Sequence, residues 1–310
     1  MNRSGFLRTV FVLLAVFCLL HGGQLQAEER ILLIGDSWAQ GIWMAGLLDK
    51  ALAEAGFPEM TAIGESCALG GTRADQWNKP EYREKILDAL ALSPTVDMIH
   101  LIIGGNDVLK RIRDTNVFTA WSEKKRDKEW DLIAADIRDL VEFCLSIEQV
   151  KCVGLAGYDY LNASTAKEAL GMLGQNFDFG GMSQEQVNAC MIALEKRKKD
   201  LAASIKGCVY IHNFGLLQHH FNDPEGTPLP GAPPEYVSFP GGDPARPMPD
   251  AAFTKVSFGG REFSGDGIHP GEEAHMVMLR NGMQCCYVPY LRSLTEKQAT
   301  AEHDDRSGGN

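Results

Sequence analysis

Short runs of apolar residues alternate along the chain with longer stretches in which apolar side chains recur every three or four positions. Each short run is too brief for a helix, and its continuous apolar character is typical of a parallel strand buried on both faces. The runs that predict strands cover Arg30–Gly35, Met60–Gly64, Met98–Ile103, Val150–Ala156 and Cys208–His212.

The periodic stretches between these runs predict helices. They cover Gly41–Ala55, Tyr82–Leu92, Trp130–Ile147, Ser183–Ile205 and Glu272–Leu294. Strands that are separated by helices form parallel βαβ units with right-handed crossovers. The predicted fold class is therefore α/β, a three-layer sandwich around a mostly parallel sheet.

The two ends of the chain differ from its body. Residues 1–27 combine two arginines, an apolar stretch Val10–Leu20 that is short for a bilayer, and the small-residue site Leu25-Gln26-Ala27. This pattern predicts a cleaved signal peptide and a periplasmic or extracellular protein; the alternative is an uncleaved membrane anchor. Residues 28–294 are predicted to form one domain, and the polar tail 295–310 is predicted to be disordered.

The amino-acid composition restricts the classes of partner that we expect the protein to bind. With 45% hydrophobic and 23% charged residues among 310, the chain resembles an ordinary globular protein. Its net charge of −11 argues against nucleic acid or an anionic membrane as a partner, so no stable membrane association is expected after cleavage. The cysteines after residue 27 are odd in number, which leaves at least one thiol free or paired between chains. None forms a C-x-x-C pair, and we expect no metal and no cofactor.

One connection is unusually long and irregular. Between Phe221 and Glu262 the chain carries no periodic pattern, and nine of its 14 prolines fall between Asn222 and Asp250. Proline removes a backbone donor and blocks helix formation. We expect this loop, together with Gly157–Gly181, to leave the strand ends on the active-site side and to set specificity.

Polar and glycine-rich segments follow three predicted strands, and a fourth precedes the last helix. They are Gly35–Gly41 (GDSWAQG), Ala68–Arg73 (ALGGTR), Gly104–Asp107 (GGND) and Asp266–Pro270 (DGIHP). Ligands of open α/β sheets bind outside the carboxyl ends of the strands. These segments are therefore the candidate site.

The residues of these segments suit nucleophilic catalysis. Ser37 enters a helix whose N-terminus favours negative charge, but a serine needs a neighbouring base to become a nucleophile. His269 is the candidate base, and Asp266 can hold its useful tautomer. Pro270 disfavours a helical His269, which places this pair on an extended turn.

Together the four segments resemble the SGNH (GDSL-type) hydrolases, whose name lists the serine, glycine, asparagine and histidine found here. The resemblance covers the mature chain and implies a flavodoxin-like fold and a serine esterase. It also implies an oxyanion hole formed by the backbone N–H groups of Ser37 and Gly70 and the side-chain amide of Asn106. Gly70 is preferred over its neighbour Gly71 because Thr72 then stands at the family's usual offset.

Several alternatives compete with this interpretation. The Gly-x-Ser-x-Gly elbow of α/β-hydrolases and the Gly-x-Gly-x-x-Gly of dinucleotide-binding proteins are both missing. An acyltransferase on the same fold and a non-catalytic extracellular binding module stay open. An exported acidic protein suggests soluble substrates, such as short acyl esters or O-acetyl groups on polysaccharide.

Three neighbouring features have simpler predicted roles. Asp36 and Asp107 are predicted to anchor the serine and asparagine loops. For Trp38, Trp43 and Trp77, core packing is favoured over lining an acyl pocket.

Overall fold

The computed structural model describes residues 27–172, 177–221, 238–254, 256–258, 261–263 and 265–294. The predicted signal peptide, apart from Ala27, and the predicted disordered tail lie outside the described residues, as does much of the proline-rich loop. Within the described ranges, none of the helices combines the length and apolar character that a membrane crossing requires.

A five-stranded parallel sheet forms the centre of the molecule. Its strands are β1 Glu28–Gly35, β2 Met60–Ile63, β3 Met98–Ile102, β4 Cys152–Ala156 and β5 Cys208–Ile211. They are ordered β2-β1-β3-β4-β5, and every neighbouring pair is parallel. This is the strand order of flavodoxin-like sheets, in which the order reverses beside β1. The predicted α/β fold with a parallel sheet is confirmed.

Helices connect the strands. They are α1 Ser37–Met44, α2 Leu47–Glu54, α3 Ala74–Trp77, α4 Pro80–Leu92, α5 Gly105–Ile112, α6 Val117–Ala120, α7 Glu123–Ser146, α8 Ala163–Met172, α9 Gln184–Ser204, α10 Leu216–His220 and α11 Glu272–Gly282. A π-helical turn, Met283–Tyr287, follows α11, and the short strand β6 Val256–Phe258 pairs antiparallel with β7 Arg261–Phe263.

Three predicted helices differ from the structure. The single helix predicted over Gly41–Ala55 is wrong, because α1 already begins at Ser37 and the left-handed backbone of Gly46 (φ 59°) separates it from α2. Helix α7 begins at Glu123, where the Ser122 side chain accepts the N–H of Lys125, rather than at the predicted Trp130. The predicted closing helix is interrupted by the π-helical turn.

The core lies on both faces of the sheet. Ile31, Leu33, Met98 and Leu101 are fully buried, as expected of strands covered on each side. Helices α7 and α9 pack against each other in one group, whereas α2, α10 and α11 pack together in another. The seven described cysteines are all free thiols.

Candidate active site

Ser37 is the first residue of α1, immediately beyond the end of β1. The preceding Asp36 is buried, and its Oδ1 accepts the backbone N–H of Trp38 at 3.1 Å, which caps the helix. This is the anchoring role predicted for Asp36. At Gly35, φ is +152° and a Cβ would overlap the carbonyl oxygen of Ile102 on β3. Glycine therefore lets the serine loop leave the sheet in close contact with the neighbouring strand.

Ser37, His269 and Asp266 are in hydrogen-bond contact although more than two hundred residues separate the serine from the other two. His269 Nε2 lies 2.7 Å from Ser37 Oγ, and His269 Nδ1 lies 2.5 Å from Asp266 Oδ2. The other carboxylate oxygen of Asp266 accepts the backbone N–H groups of Ile268 and His269 at 2.9 and 2.8 Å. The carboxylate thus fixes both the imidazole and the turn that carries it.

The ionisation of this pair follows from its contacts. Burial alone lowers the pKa of His269, but the hydrogen bond and charge of Asp266, together with the charge of Asp36, raise the pKa above the ordinary value for histidine. Burial raises the pKa of Asp266, but its bonds to His269 and the His269 charge outweigh this and lower it overall. The geometry therefore favours a histidine that gains a proton readily and a carboxylate that stays ionised.

The histidine turn is held against the serine helix and α8. The indole Nε1 of Trp38 donates to the carbonyl oxygen of Ile268 at 3.0 Å. The backbone N–H of Asn162 donates to Gly267 at 2.9 Å, and a Cβ on Gly267 would collide with that segment. Trp38 is buried as predicted, but it also lines a small cavity beside Ser37. Its contact with Ile268 connects two parts of the candidate site, and the sequence pattern did not reveal it.

The predicted oxyanion donors lie on the loops around Ser37. Asn106 Nδ2 donates to the carbonyl oxygen of Thr72 at 3.1 Å, and Thr72 Oγ1 donates to the carbonyls of Gly35 and Leu69. Among the described residues, the backbone N–H groups of Ser37 and Gly70 donate to no protein acceptor. Asn106 and the backbone of Ser37 lie at the small cavity described below, whereas Gly70 does not line it.

Asp107 anchors the asparagine loop, as predicted. Its Oδ2 accepts the N–H of Ala74 at 2.9 Å, which joins α5 to α3. Burial raises the pKa of Asp107 to about 6, and burial likewise raises the pKa of Asp36 to about 6. These carboxyls therefore support the loops rather than face the solvent.

A small cavity of about 20 Å³ opens beside Ser37 and Asn106. Its wall is mostly apolar and includes Trp38, Leu109, Tyr158, Leu161, Met191 and Ile268. A larger groove of about 610 Å³ lies elsewhere, between α2 and the helical residues 280–292, and contains none of the predicted site residues. Ser37 and Asn106 line the small cavity, and neither lines the larger groove.

The part of the chain that the structure describes contains no candidate metal-binding site. No group of three or more His, Cys, Asp or Glu side chains is placed there to hold an ion. His219 and His220 are adjacent residues of α10, and His220 Nε2 lies 3.1 Å from Glu273 Oε1.

No protein-family model and no curated protein matches this sequence. Among solved structures, a variant of Axe2, an acetyl-xylooligosaccharide esterase from Geobacillus stearothermophilus, is 15% identical, with a TM-score of 0.50 over 84% of this chain and 95% of that chain. A family 3 carbohydrate esterase from Talaromyces cellulolyticus is 10% identical, with a TM-score of 0.48 over 87% and 99%. A candidate SGNH hydrolase from Slackia heliotrinireducens is 16% identical, with a TM-score of 0.45 over 83% and 98%.

At these identities the likeness concerns the fold. The strand order and the shared architecture agree with the expectation raised by the four sequence segments. The chain shares the fold of that Axe2 structure.

Proposed function

We propose that this protein is an exported serine esterase that hydrolyses carboxylic esters through Ser37, His269 and Asp266. The observation that carries the proposal is the pair of contacts from Ser37 Oγ to His269 at 2.7 Å and from His269 to Asp266 at 2.5 Å. A nucleophile, a base and an orienting carboxylate in this geometry are the requirements for acyl transfer through serine.

The proposed reaction has two halves. His269 Nε2 takes the proton of Ser37 as Oγ attacks the ester carbonyl, and the resulting oxyanion accepts bonds from the Ser37 and Gly70 N–H groups and the Asn106 amide. The intermediate collapses to an acyl-serine while His269 returns the proton to the leaving alcohol. Water then repeats the sequence and releases the acid.

We assign short acyl esters, including O-acetyl groups on polysaccharide, as the substrates. A cavity of about 20 Å³ holds little more than one water-sized group, which suits the methyl of an acetyl ester. The fold neighbour from Geobacillus is, by its name, an esterase of acetylated xylooligosaccharide, which agrees with this assignment.

Covalent labelling separates an enzyme from a binding module. Wild-type protein should react with a fluorophosphonate at Ser37, identified by mass spectrometry of the labelled peptide, whereas Ser37→Ala should not react. The same wild-type protein is then assayed with a chain-length series of p-nitrophenyl esters and with acetylated xylooligosaccharides. A folded wild-type protein that neither labels nor hydrolyses any ester would exclude the proposal.

Two further measurements test the finer parts of the proposal. Adding a sugar alcohol to the acetyl ester assay and measuring acetylated product distinguishes transfer from hydrolysis; we expect free acetate to dominate. Expression of the full chain in a secreting host, followed by N-terminal sequencing, should give a mature protein that begins at Glu28. Recovery of the uncleaved chain in membranes would instead indicate an anchor.

A further inference from the structure

Tyr158 stands just beyond the end of β4, directly beneath the proposed site. Its side chain is buried, and its hydroxyl donates to Oδ2 of Asp36 at 2.5 Å. The backbone of Gly105 lies close to the same group, because a Cβ on Gly105 would come within 3.0 Å of the hydroxyl oxygen. One phenol group therefore contacts both the loop that follows β1 and the loop that follows β3.

Those two contacts fall next to the groups that the proposed reaction uses. Asp36 immediately precedes Ser37, which supplies the nucleophile and one oxyanion donor, and Gly105 immediately precedes Asn106, which supplies another. The serine and asparagine loops leave neighbouring strands, and Tyr158 follows β4, the next strand along the sheet. The hydroxyl is thus placed to set the spacing between the nucleophile and the asparagine amide.

The phenol ring is itself held in place. It packs edge-on against the Trp38 indole with ring centres 4.9 Å apart. Gly105 lies against the ring so closely that a Cβ would come within 2.8 Å of Tyr158 Cζ. These contacts leave the hydroxyl little freedom to move from the two loops.

A buried ion pair supports the same position. Lys198 and Glu195 on α9 are both fully buried and contact each other at 2.8 Å. Lys198 Nζ also donates to the carbonyl of Ala156, the last residue of β4, at 2.7 Å and lies 4.8 Å from the centre of the Tyr158 ring. Buried ion pairs contribute little to stability in general, and some are retained because they specify one arrangement. Here the pair fixes the end of β4 from which Tyr158 extends.

We propose that Tyr158 is a positioning residue for the esterase site, whose hydroxyl holds Ser37 and the Asn106 oxyanion donor at their working separation. This inference rests on the proposed function. Tyr158 acts through Asp36 and Gly105. Displacement of reacting groups by about 1 Å can lower a rate by ~10²-fold. Loss of the hydroxyl should therefore lower kcat by about 10- to 100-fold and leave KM nearly unchanged.

The test compares Tyr158→Phe with Tyr160→Phe. Tyr160 offers a matched control because it is also buried and its hydroxyl donates one hydrogen bond, at 2.7 Å, to the carbonyl of Gly241 outside the site. Both variants lose one buried hydroxyl, so both should lose similar thermal stability, but only Tyr158→Phe should lose kcat on p-nitrophenyl acetate.

A double-mutant cycle separates positioning from a general structural effect. If Tyr158 acts on the asparagine loop, the kcat loss from Tyr158→Phe should shrink several-fold in an Asn106→Ala background, because the donor that it positions is gone. Gly105→Ala provides a second route, since its Cβ would displace the phenol ring without removing the hydroxyl, and it should show the same fall in kcat. If Tyr158→Phe does not fold, the kcat of Gly105→Ala tests the positioning role instead.

The outcomes are distinguishable from failure of the proposed function. A wild-type protein without esterase activity would exclude the function itself. An active wild type with a folded Tyr158→Phe variant of near-normal kcat would overturn the positioning role alone. The positioning role would also be overturned if Tyr158→Phe and Tyr160→Phe lowered kcat equally. It would likewise be overturned if Tyr158→Phe lowered kcat by the same factor in the wild-type and Asn106→Ala backgrounds.

Discussion

At the scale of single residues, the candidate site is built from side chains that add little to the core. Ser37, Asn106 and His269 are all partly exposed, and their bonds run mostly to one another or to loop carbonyls. Substituting such residues should therefore change activity far more than stability. This separation makes the proposed roles measurable one at a time.

Ser37→Ala should abolish ester hydrolysis and leave the thermal midpoint nearly unchanged. The physical reason is that Oγ bonds only to the His269 ring in the described structure, whereas the helix cap is supplied by Asp36. Turnover of p-nitrophenyl acetate and the thermal midpoint should be measured on the same preparation. If more than a few per cent of activity survives after contamination is excluded, Ser37 is not the nucleophile.

Asn106→Ala should lower kcat by roughly 10²–10³-fold, about 3–4 kcal/mol, with KM little affected. An oxyanion donor bonds best to charge that exists only in the transition state, so its loss lowers kcat. Asn106 Nδ2 also donates to the carbonyl oxygen of Thr72 at 3.1 Å. The opposing interpretation is therefore that Asn106 is a structural turn residue with no part in catalysis. That interpretation requires a thermal midpoint lowered by several degrees together with near-normal turnover.

Activity should rise with pH as His269 loses its proton, because only the neutral imidazole can accept the Ser37 proton. Asp266 raises the pKa of His269, so the midpoint of this rise should lie above the ordinary value for histidine. In Asp266→Asn that contribution is lost; kcat should fall and the midpoint should move to lower pH. Burial also raises the pKa of Asp36 to about 6, so the shift in the variant, rather than the midpoint alone, identifies His269. An unmoved midpoint would contradict the assignment.

At the scale of elements, the strands were easier to predict than the helices. Each predicted strand lies within two residues of an observed one because strands covered on both faces are uniformly apolar. The prediction of a single helix after β1 was wrong because the apolar periodicity continues through Gly46. Only the backbone conformation at Gly46 shows that the helix is broken there. Short helices such as α3 and α6 span one turn, too few residues for a periodic pattern to appear.

The end of β1 gives a prediction at this scale. Gly35→Ala should lower the thermal midpoint by several degrees, because φ is +152° and the new Cβ would overlap the Ile102 carbonyl. Gly171→Ala in α8 is the matched control, since a Cβ there meets nothing within 4 Å and alanine favours a helix. Thermal unfolding of both variants checks this. Equal midpoints would show that the β1–β3 contact tolerates a side chain.

At the scale of the whole molecule, the topology gathers the site from distant parts of the chain. The strand order reverses beside β1, so the loops after β1 and β3 flank one crevice, and the turn before α11 closes it. Short sequence motifs mark the candidate residues Ser37, Gly70, Asn106, Asp266 and His269. Tyr158 carries no motif, and its contact with Asp36, 122 residues away, follows only from the arrangement of the strands.

Under the proposed function, the walls of the small cavity should limit the size of the acyl group. The cavity beside Ser37 has a volume of about 20 Å³ and is lined by Leu109 on α5, Leu161 after β4, Met191 on α9 and Ile268 before α11. One extra methylene in such a pocket changes binding by roughly 1–3 kcal/mol. The wild-type kcat/KM should therefore fall steeply from acetyl to butyryl esters.

Met191→Ala should relax this limit. Met191 is almost completely buried, and its removal beyond Cβ extends the cavity into the space that a longer acyl chain needs. The ratio of kcat/KM for p-nitrophenyl butyrate to that for the acetate should rise by about 10-fold or more. Met172→Ala, at a methionine that is 43% exposed and outside the cavity, should leave the ratio unchanged. Because Met191 also packs in the core, its variant should lose about 2–5 kcal/mol of stability, so the assay belongs well below its thermal midpoint. An unchanged ratio in a folded, active Met191→Ala variant would mean that the acyl chain lies elsewhere.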